Sequence, residues 1–357
     1  MIGMIGHFGS RFSYATVGAK IGAKLAATGR LGQVLNLDDQ MLADYEFLKA
    51  GRAESFSDPL LALTAPSPVF DTILTAYKNM GLFLSPNTAE LSREHARALD
   101  QCRIGFAPSH YCAEVSRAHS KTPVEVCRLG VADEYAETRF ARRPRNEPFT
   151  FLHATTDFYL PGRKGTEELI EAWGIVRGEL PAARLIVHAP SGISTHIHYG
   201  LSDQEAADGL GYGRFRLTEP PRRGTEEADL ARLLLSADAV VLPSRCEGFG
   251  MVILAALVLG VPLVTTNVTG QKDFLGDFPG CFVEAPTGGT GPLVGEDGQA
   301  PLVDVEGLAD AMVRLHKSYD TVFDAAQRVP QETRRKWTWS ESMKGWADKL
   351  SAWEAQR

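Results

Sequence analysis

The stretch "ADAVVLPSRCEGFGMVILAALVLGVPLVTT", Ala237 to Thr266, decides the fold. Ala239 to Leu242 is a continuous apolar run, the pattern of a parallel strand buried on both faces, and Pro243 ends it because proline cannot donate to a strand ladder. A helix follows from about Met251 to Leu259, Gly260 stops it, and Val261 begins the next strand. Ser244 to Gly250 are then a loop at the carboxyl end of a parallel strand. Ligands of open α/β sheets bind at such loops, where the helix amino end presents unpaired amides to an anion. One carboxylate, Glu247, stands in the loop. Gly248 and Gly250 let the backbone come close to a ligand, and a buried Glu247 would need partners, for which sugar hydroxyls are suited. A tight turn carrying a solvated acid is the competing reading.

Outward from this stretch, strand-like and helical runs alternate along most of the chain. "MIGMIGHFG" is a short apolar run, "YATVGAKIGAKLAATG" has helical spacing with Gly29 as a stop, and "GQVLNLDD" reads as a second strand, which makes a βαβ unit and a parallel sheet. "RIGFAPS", "PVEVCRLGV", "FTFLHAT", "ARLIVHAP", "DAVVLPS", "VPLVTTN" and "CFVEA" are further strand candidates. Such alternation predicts a doubly wound α/β architecture repeated twice. The polar, basic stretch "ETRFARRPRNEP", Glu137 to Pro148, is the expected linker. It separates a first domain over 1–138, completed by a closing helix at about 340–357, from a second over 147–339. The stretch "APTGGTGPLVGEDGQAP", Ala285 to Pro301, reads as a glycine-rich surface loop.

The 357 residues suffice for two domains with their own cores, and 44% hydrophobic with 23% charged residues is an ordinary globular balance. A formal charge of -7 gives no broad footprint for nucleic acid or an anionic membrane. The five cysteines, Cys102, Cys112, Cys127, Cys246 and Cys281, show no CxxC spacing and leave one unpaired in any scheme, so reduced thiols in a cytosol are the simpler reading. No apolar stretch reaches the ~18 residues of a membrane span. A cytoplasmic protein is expected, with peripheral membrane contact left open.

"PSRCEGFGMVILAALVLGVPLVTTNVTGQKDF" resembles the donor-site signature of family 4 of the retaining glycosyltransferases, whose two Rossmann-like domains face each other across a cleft in the GT-B fold. "FAPSHYCAEVSRAHSKTPVEVCRLGVADEY", "FLHATTDFYLPGRKGTEELIEAW", "DLARLLLSADAVVLPS" and "WTWSESMKGWADKLSAW" resemble other family segments, in the right order, over roughly residues 100 to 350. The resemblance implies a metal-independent glycosyltransferase that needs no cofactor and uses a nucleotide-diphosphate sugar as donor substrate. It gives Glu247 contact with the transferred sugar and Lys164, with Arg163 beside it, contact with the diphosphate. Fixed cations suit the negative charge that builds on a leaving diphosphate. Gly248, Phe249 and Gly250 belong to the donor loop. The family's second glutamate, which the resemblance implies would hold the ribose hydroxyls of the nucleotide, falls at Ala255, and Asp273 in the following loop is a candidate substitute. Gly9 and Ser10, in the glycine-rich turn after the first strand, are candidates to face the donor phosphates, against a merely tight connection.

Other constellations are weaker. His153, His188, His196 and His198 lack a cysteine or acidic cluster at zinc-ligand spacing, so no metal is expected. "GRKGT" lacks the full phosphate-loop pattern, and Cys246 suits a buried small residue better than a nucleophile. The acceptor is open between a lipid carrier, a polysaccharide, a small molecule, a protein and a modified nucleic-acid base. A non-catalytic binding homologue, and a phosphorylase or sugar-nucleotide epimerase of the same fold, are the rival functions.

Overall fold

The computed structural model describes residues 1–6, 13–36, 59–64, 74, 77, 79–143, 147–154, 162–188, 227–293 and 298–356. The chain divides into two compact units, one of Met1–Gly130 with Trp339–Arg357 and one of Val131–Thr338. The division falls ahead of the basic stretch Glu137 to Pro148.

In the first unit, β1 (Ile2–Gly6), β2 (Leu31–Asn36), β3 (Leu60–Leu63), β4 (Met80–Phe83), β5 (Ile104–Ala107) and β6 (Val124–Val126) form one sheet in the order β2-β1-β3-β4-β5-β6. Every ladder in it is parallel. β1, β3, β4 and β5 are buried at every position, which is why they read as unbroken apolar runs. Helices enter through side-chain caps: Ser92 accepts from the His95 amide and Ser109 from the Cys112 amide, each at 3.2 Å. The helix Trp339–Glu354 completes this unit although it comes last in the chain. Its Trp346 and Trp353 rings lie 5.6 and 5.7 Å from Phe106 of β5. Each indole is satisfied, Trp346 donating to the Arg128 carbonyl at 3.1 Å and Trp353 to Asn79 at 3.0 Å. Gly81 leaves the room this needs, since a Cβ there would sit 3.0 Å from the Trp353 ring.

In the second unit, β7 (Thr150–Ala154), β8 (Arg184–His188), β9 (Ala239–Leu242), β10 (Leu263–Thr265) and β11 (Phe282–Glu284) form a parallel sheet in the order β11-β10-β9-β7-β8. Read from the other edge this is 8-7-9-10-11, the same winding as 2-1-3-4-5 of the first sheet. Two doubly wound sheets of one topology therefore follow each other along the chain. In each, the order reverses beside the first strand, between β1 and β3 and between β7 and β9. Such switch points open a crevice at the carboxyl ends of the strands.

The core of this unit joins Phe151, Trp173, Leu185, Val241 and Val264 to Leu308, Met312 and Leu315 of the helix Val305–Lys317. The helix Met251–Leu259 is apolar throughout and buried from Ile253 on. Gly260 ends it with φ +78°, and Arg334 donates to the Val258 carbonyl at 2.8 Å, placing a cation at the negative end of the helix. The expected glycine-rich loop, Ala285 to Pro301, differs from the reading of its sequence. It forms an antiparallel pair, β12 (Thr287–Pro292) with β13 (Gln299–Val303). Backbone pairing needs no side-chain pattern, and an arginine from elsewhere in the unit ties the pair down, as described next.

Candidate active site

Three loops leave the carboxyl ends of the adjacent strands β7, β9 and β10. The first ends in Gly162 to Gly165 and enters the helix Thr166–Glu179; the second is Pro243 to Gly250, entering Met251–Leu259; the third carries Asn267 to Gln271. Backbone contacts lock them together. The Arg245 amide donates to the Arg163 carbonyl and the Gly270 amide to the Glu247 carbonyl, both at 2.9 Å. His153 of β7 holds the first two loops from below: its Nδ1–H donates to the Val241 carbonyl at 2.8 Å, and its Nε2 lies 2.9 Å from the Thr166 hydroxyl. A carbonyl only accepts, so the proton is on Nδ1 and the hydroxyl donates to Nε2.

On this frame the structure brings Glu247, Lys164 and Arg163 together. Lys164 Nζ lies 2.5 Å from Glu247 Oε1, and Arg163 donates to Oε2 at 3.0 Å. Ser244 donates to Oε1 at 2.7 Å, and the Glu247 amide donates to the Thr269 hydroxyl at 2.8 Å. All three charged side chains are largely buried, with 7% of Glu247, 10% of Lys164 and 13% of Arg163 exposed. Burial pushes the Glu247 carboxyl up, but the Lys164 and Arg163 charges and the bonds from Lys164 and Ser244 outweigh it and hold the group at about 2. Two cations and one carboxylate sum to one positive charge, set beside the amino ends of two helices. That arrangement suits an anion.

The remaining predicted residues have distinct places. Gly250, at φ +95°, precedes the helix Met251–Leu259. Gly248 is approached so closely by Gly270 that a Cβ on Gly270 would fall 2.1 Å from the Gly248 carbonyl oxygen. Phe249 turns inward, its ring 5.5 Å from Phe274 and 6.3 Å from Trp337, and is 3% exposed. Its side chain is core. Asp273 stands half-buried on the short helix Lys272–Leu275, just beyond the third loop. Ala255 is fully buried in the helix Met251–Leu259. Gly9, Ser10, His196 and His198 lie outside the described residues.

Three residues that sequence reasoning left unassigned complete the frame. Ser244 and Thr269 fix Glu247. Thr269 adopts φ +46°, unusual for a β-branched residue, which marks a constrained loop. Arg245 stands two positions before Glu247 yet points away, donating to the carbonyls of Pro301 at 2.9 Å and of Gly291 and Pro292 at 3.1 Å. It pins the β12–β13 pair, and Cys246 is buried under that pair with Leu293 and Ala300. Among the described residues no three His, Cys, Asp or Glu side chains gather as metal ligands, and no helix is long and apolar enough to cross a membrane.

A sequence profile of the family described as Family 4 Glycosyltransferase in conflict systems matches residues 112–345. The D-inositol 3-phosphate glycosyltransferase of Paenarthrobacter aurescens is 30% identical over 213 residues, 60% of this chain and 46% of that protein, so the chain spans about half the length of this curated relative. Among solved structures, sucrose-phosphate synthase from Thermosynechococcus elongatus superposes at a TM-score of 0.68 with 15% identity, over 100% of this chain and 99% of that one. Anabaena HepE in complex with UDP-glucose gives 0.69 with 14% identity, over 98% and 99%. At such identities the likeness is one of fold, the GT-B fold with its two Rossmann-like units. With the profile spanning well over half its residues, the chain belongs to the family 4 glycosyltransferases in conflict systems.

Proposed function

We propose that the chain is a retaining hexosyltransferase that moves a sugar from a nucleotide-diphosphate donor to an acceptor. The buried Arg163–Glu247–Lys164 cluster at the β7/β9 switch point is the observation that carries this reading. Lys164 and Arg163 stabilise the diphosphate as the bond from its oxygen to the anomeric carbon breaks. Glu247, held ionised, orients the sugar through its hydroxyls. The acceptor hydroxyl bonds to the anomeric carbon on the same face, and its proton passes to the departing diphosphate oxygen. The amides around Gly248 and Gly250 add donors for the phosphates. The complexes named for HepE, with UDP-glucose, and for pneumococcal GtfA, with UDP and GlcNAc, support a nucleotide-sugar donor. A cytoplasmic setting belongs to the same reading and is supported by five buried cysteines, none of them in a disulfide.

Ala255 belongs to this proposal as the replacement of the family's ribose-binding glutamate. The helix Met251–Leu259 contains no ionisable residue, so no carboxylate comes from it. Loss of one hydrogen bond to a charged group lowers donor affinity by roughly ten- to a hundredfold. Asp273 is the candidate replacement. The same substitution favours a second reading, a homologue that binds without catalysing.

The test is a panel of UDP, GDP and ADP sugars assayed for donor hydrolysis and transfer. Activity with one donor, lost in Lys164→Ala, is the expected result. Inactivity across the panel, with no nucleoside diphosphate raising the melting temperature, overturns it.

A further inference from the structure

Glu247 engages both cations through separate oxygens, Lys164 on Oε1 and Arg163 on Oε2. Ser244 and the Thr269 contact hold the residue in that position from two sides, so the carboxylate is built into the site as the internal counter-ion of its two cations. A diphosphate on the same cations adds negative charge within a few ångströms of a buried carboxylate, where water screens little. The carboxylate therefore opposes every diphosphate that enters, and opposes the more highly charged one more.

We propose that Glu247 determines selectivity between donor and product, disfavouring the free nucleoside diphosphate relative to its sugar-linked form. This rests on the donor-site reading of the cluster. A sugar-linked diphosphate has its terminal oxygen capped, whereas the freed nucleoside diphosphate exposes a terminal phosphate whose second ionisation lies near pH ~6, giving it about one more negative charge. The donor also gains hydroxyl contacts to the carboxylate that the product lacks. Both effects act in the same direction: Glu247 weakens product binding more than donor binding, so product leaves without the cations having to move.

Inorganic pyrophosphate tests this, because its binding does not depend on which nucleoside the protein takes. The measurement is its affinity by calorimetry for wild type, for Glu247→Gln, and for Glu247→Gln combined with Lys164→Met. The single variant removes the negative charge and raises the sum over the three groups by one; the double variant restores that sum. Pyrophosphate is expected to bind Glu247→Gln at least about tenfold more tightly than wild type, and the double variant to return close to wild type. If the bare cations destabilise Glu247→Gln, a larger rise in melting temperature with pyrophosphate than wild type shows is the equivalent result.

Unchanged or weaker binding by Glu247→Gln overturns the selectivity role while leaving the donor-site reading in place, provided wild type binds. Absence of binding by all three proteins overturns both.

Discussion

Gly165 packs so tightly on Pro243 that a Cβ at position 165 would fall 2.1 Å from the Pro243 carbonyl oxygen, and it does so at φ +66°. The residue that follows Lys164 is thus wedged against the end of β9, the strand that delivers Glu247. Alanine at this position meets both a left-handed backbone and an overlap with main chain. Gly165→Ala is expected to destabilise the protein by about 3 kcal/mol in denaturant unfolding. Gly174, in the helix Thr166–Glu179 with nothing within 4 Å of an added Cβ, is the control. Gly174→Ala is expected to stabilise by about 0.5–1 kcal/mol.

Removing Lys164 leaves the buried Glu247 carboxylate with Arg163 as its remaining cation of the pair. Lys164→Ala is expected to cost about 2–4 kcal/mol of unfolding free energy, while Lys164→Arg, which keeps the charge with a different shape, costs less. An alanine variant as stable as wild type contradicts the buried ion pair.

Acid should weaken the fold through the same group. The Glu247 carboxyl lies at about 2, below its ordinary value of 4.5. A group depressed on folding contributes stability that is complete above the unfolded value and is lost as pH falls through the folded one. Between about pH 5 and pH 2, wild type is expected to lose stability more steeply than Glu247→Gln, by a slope equivalent to up to about one proton. Parallel slopes in urea titrations across that window contradict this.

The indole of Trp353 is buried against Phe106 and Gly81 in the first unit. Trp353→Ala is expected to destabilise by about 3–5 kcal/mol, through lost transfer energy and the cavity left behind. Trp353→Phe retains most of the volume and should recover a large part of it, leaving Asn79 without its indole donor.

The strand, loop and helix around Glu247 were legible because their signals act through the backbone. Pro243 stops a ladder and Gly260 takes a φ of +78° whatever surrounds them. The family pattern singles out Lys164 and Glu247 for two parts of a donor, but not the ion pair between them. Other parts depend on sheet pairing, which local sequence does not encode. Thr269 reaches Glu247 across 22 positions because β10 pairs with β9. Arg245, two positions before Glu247, has no role in the sequence reading, and the carbonyls of the β12–β13 pair that take up its guanidinium lie 46 to 56 positions further on. Phe249 sits in the motif, but the apolar ring finds Phe274 and Trp337, so burial decides where it turns. Two positions apart, the same motif holds both a site carboxylate and a core side chain.

The closing helix has a consequence for synthesis. Arg30, just before β2, pairs with Glu354 at 2.8 Å, a partner made 324 residues later. On the ribosome, β1 to β6 emerge with the faces destined for Trp346 and Trp353 uncovered, and they stay so while the whole Val131–Thr338 unit is translated. The later unit can reach its native state first, and the earlier one must wait for the last helix or borrow a chaperone's cover until it arrives.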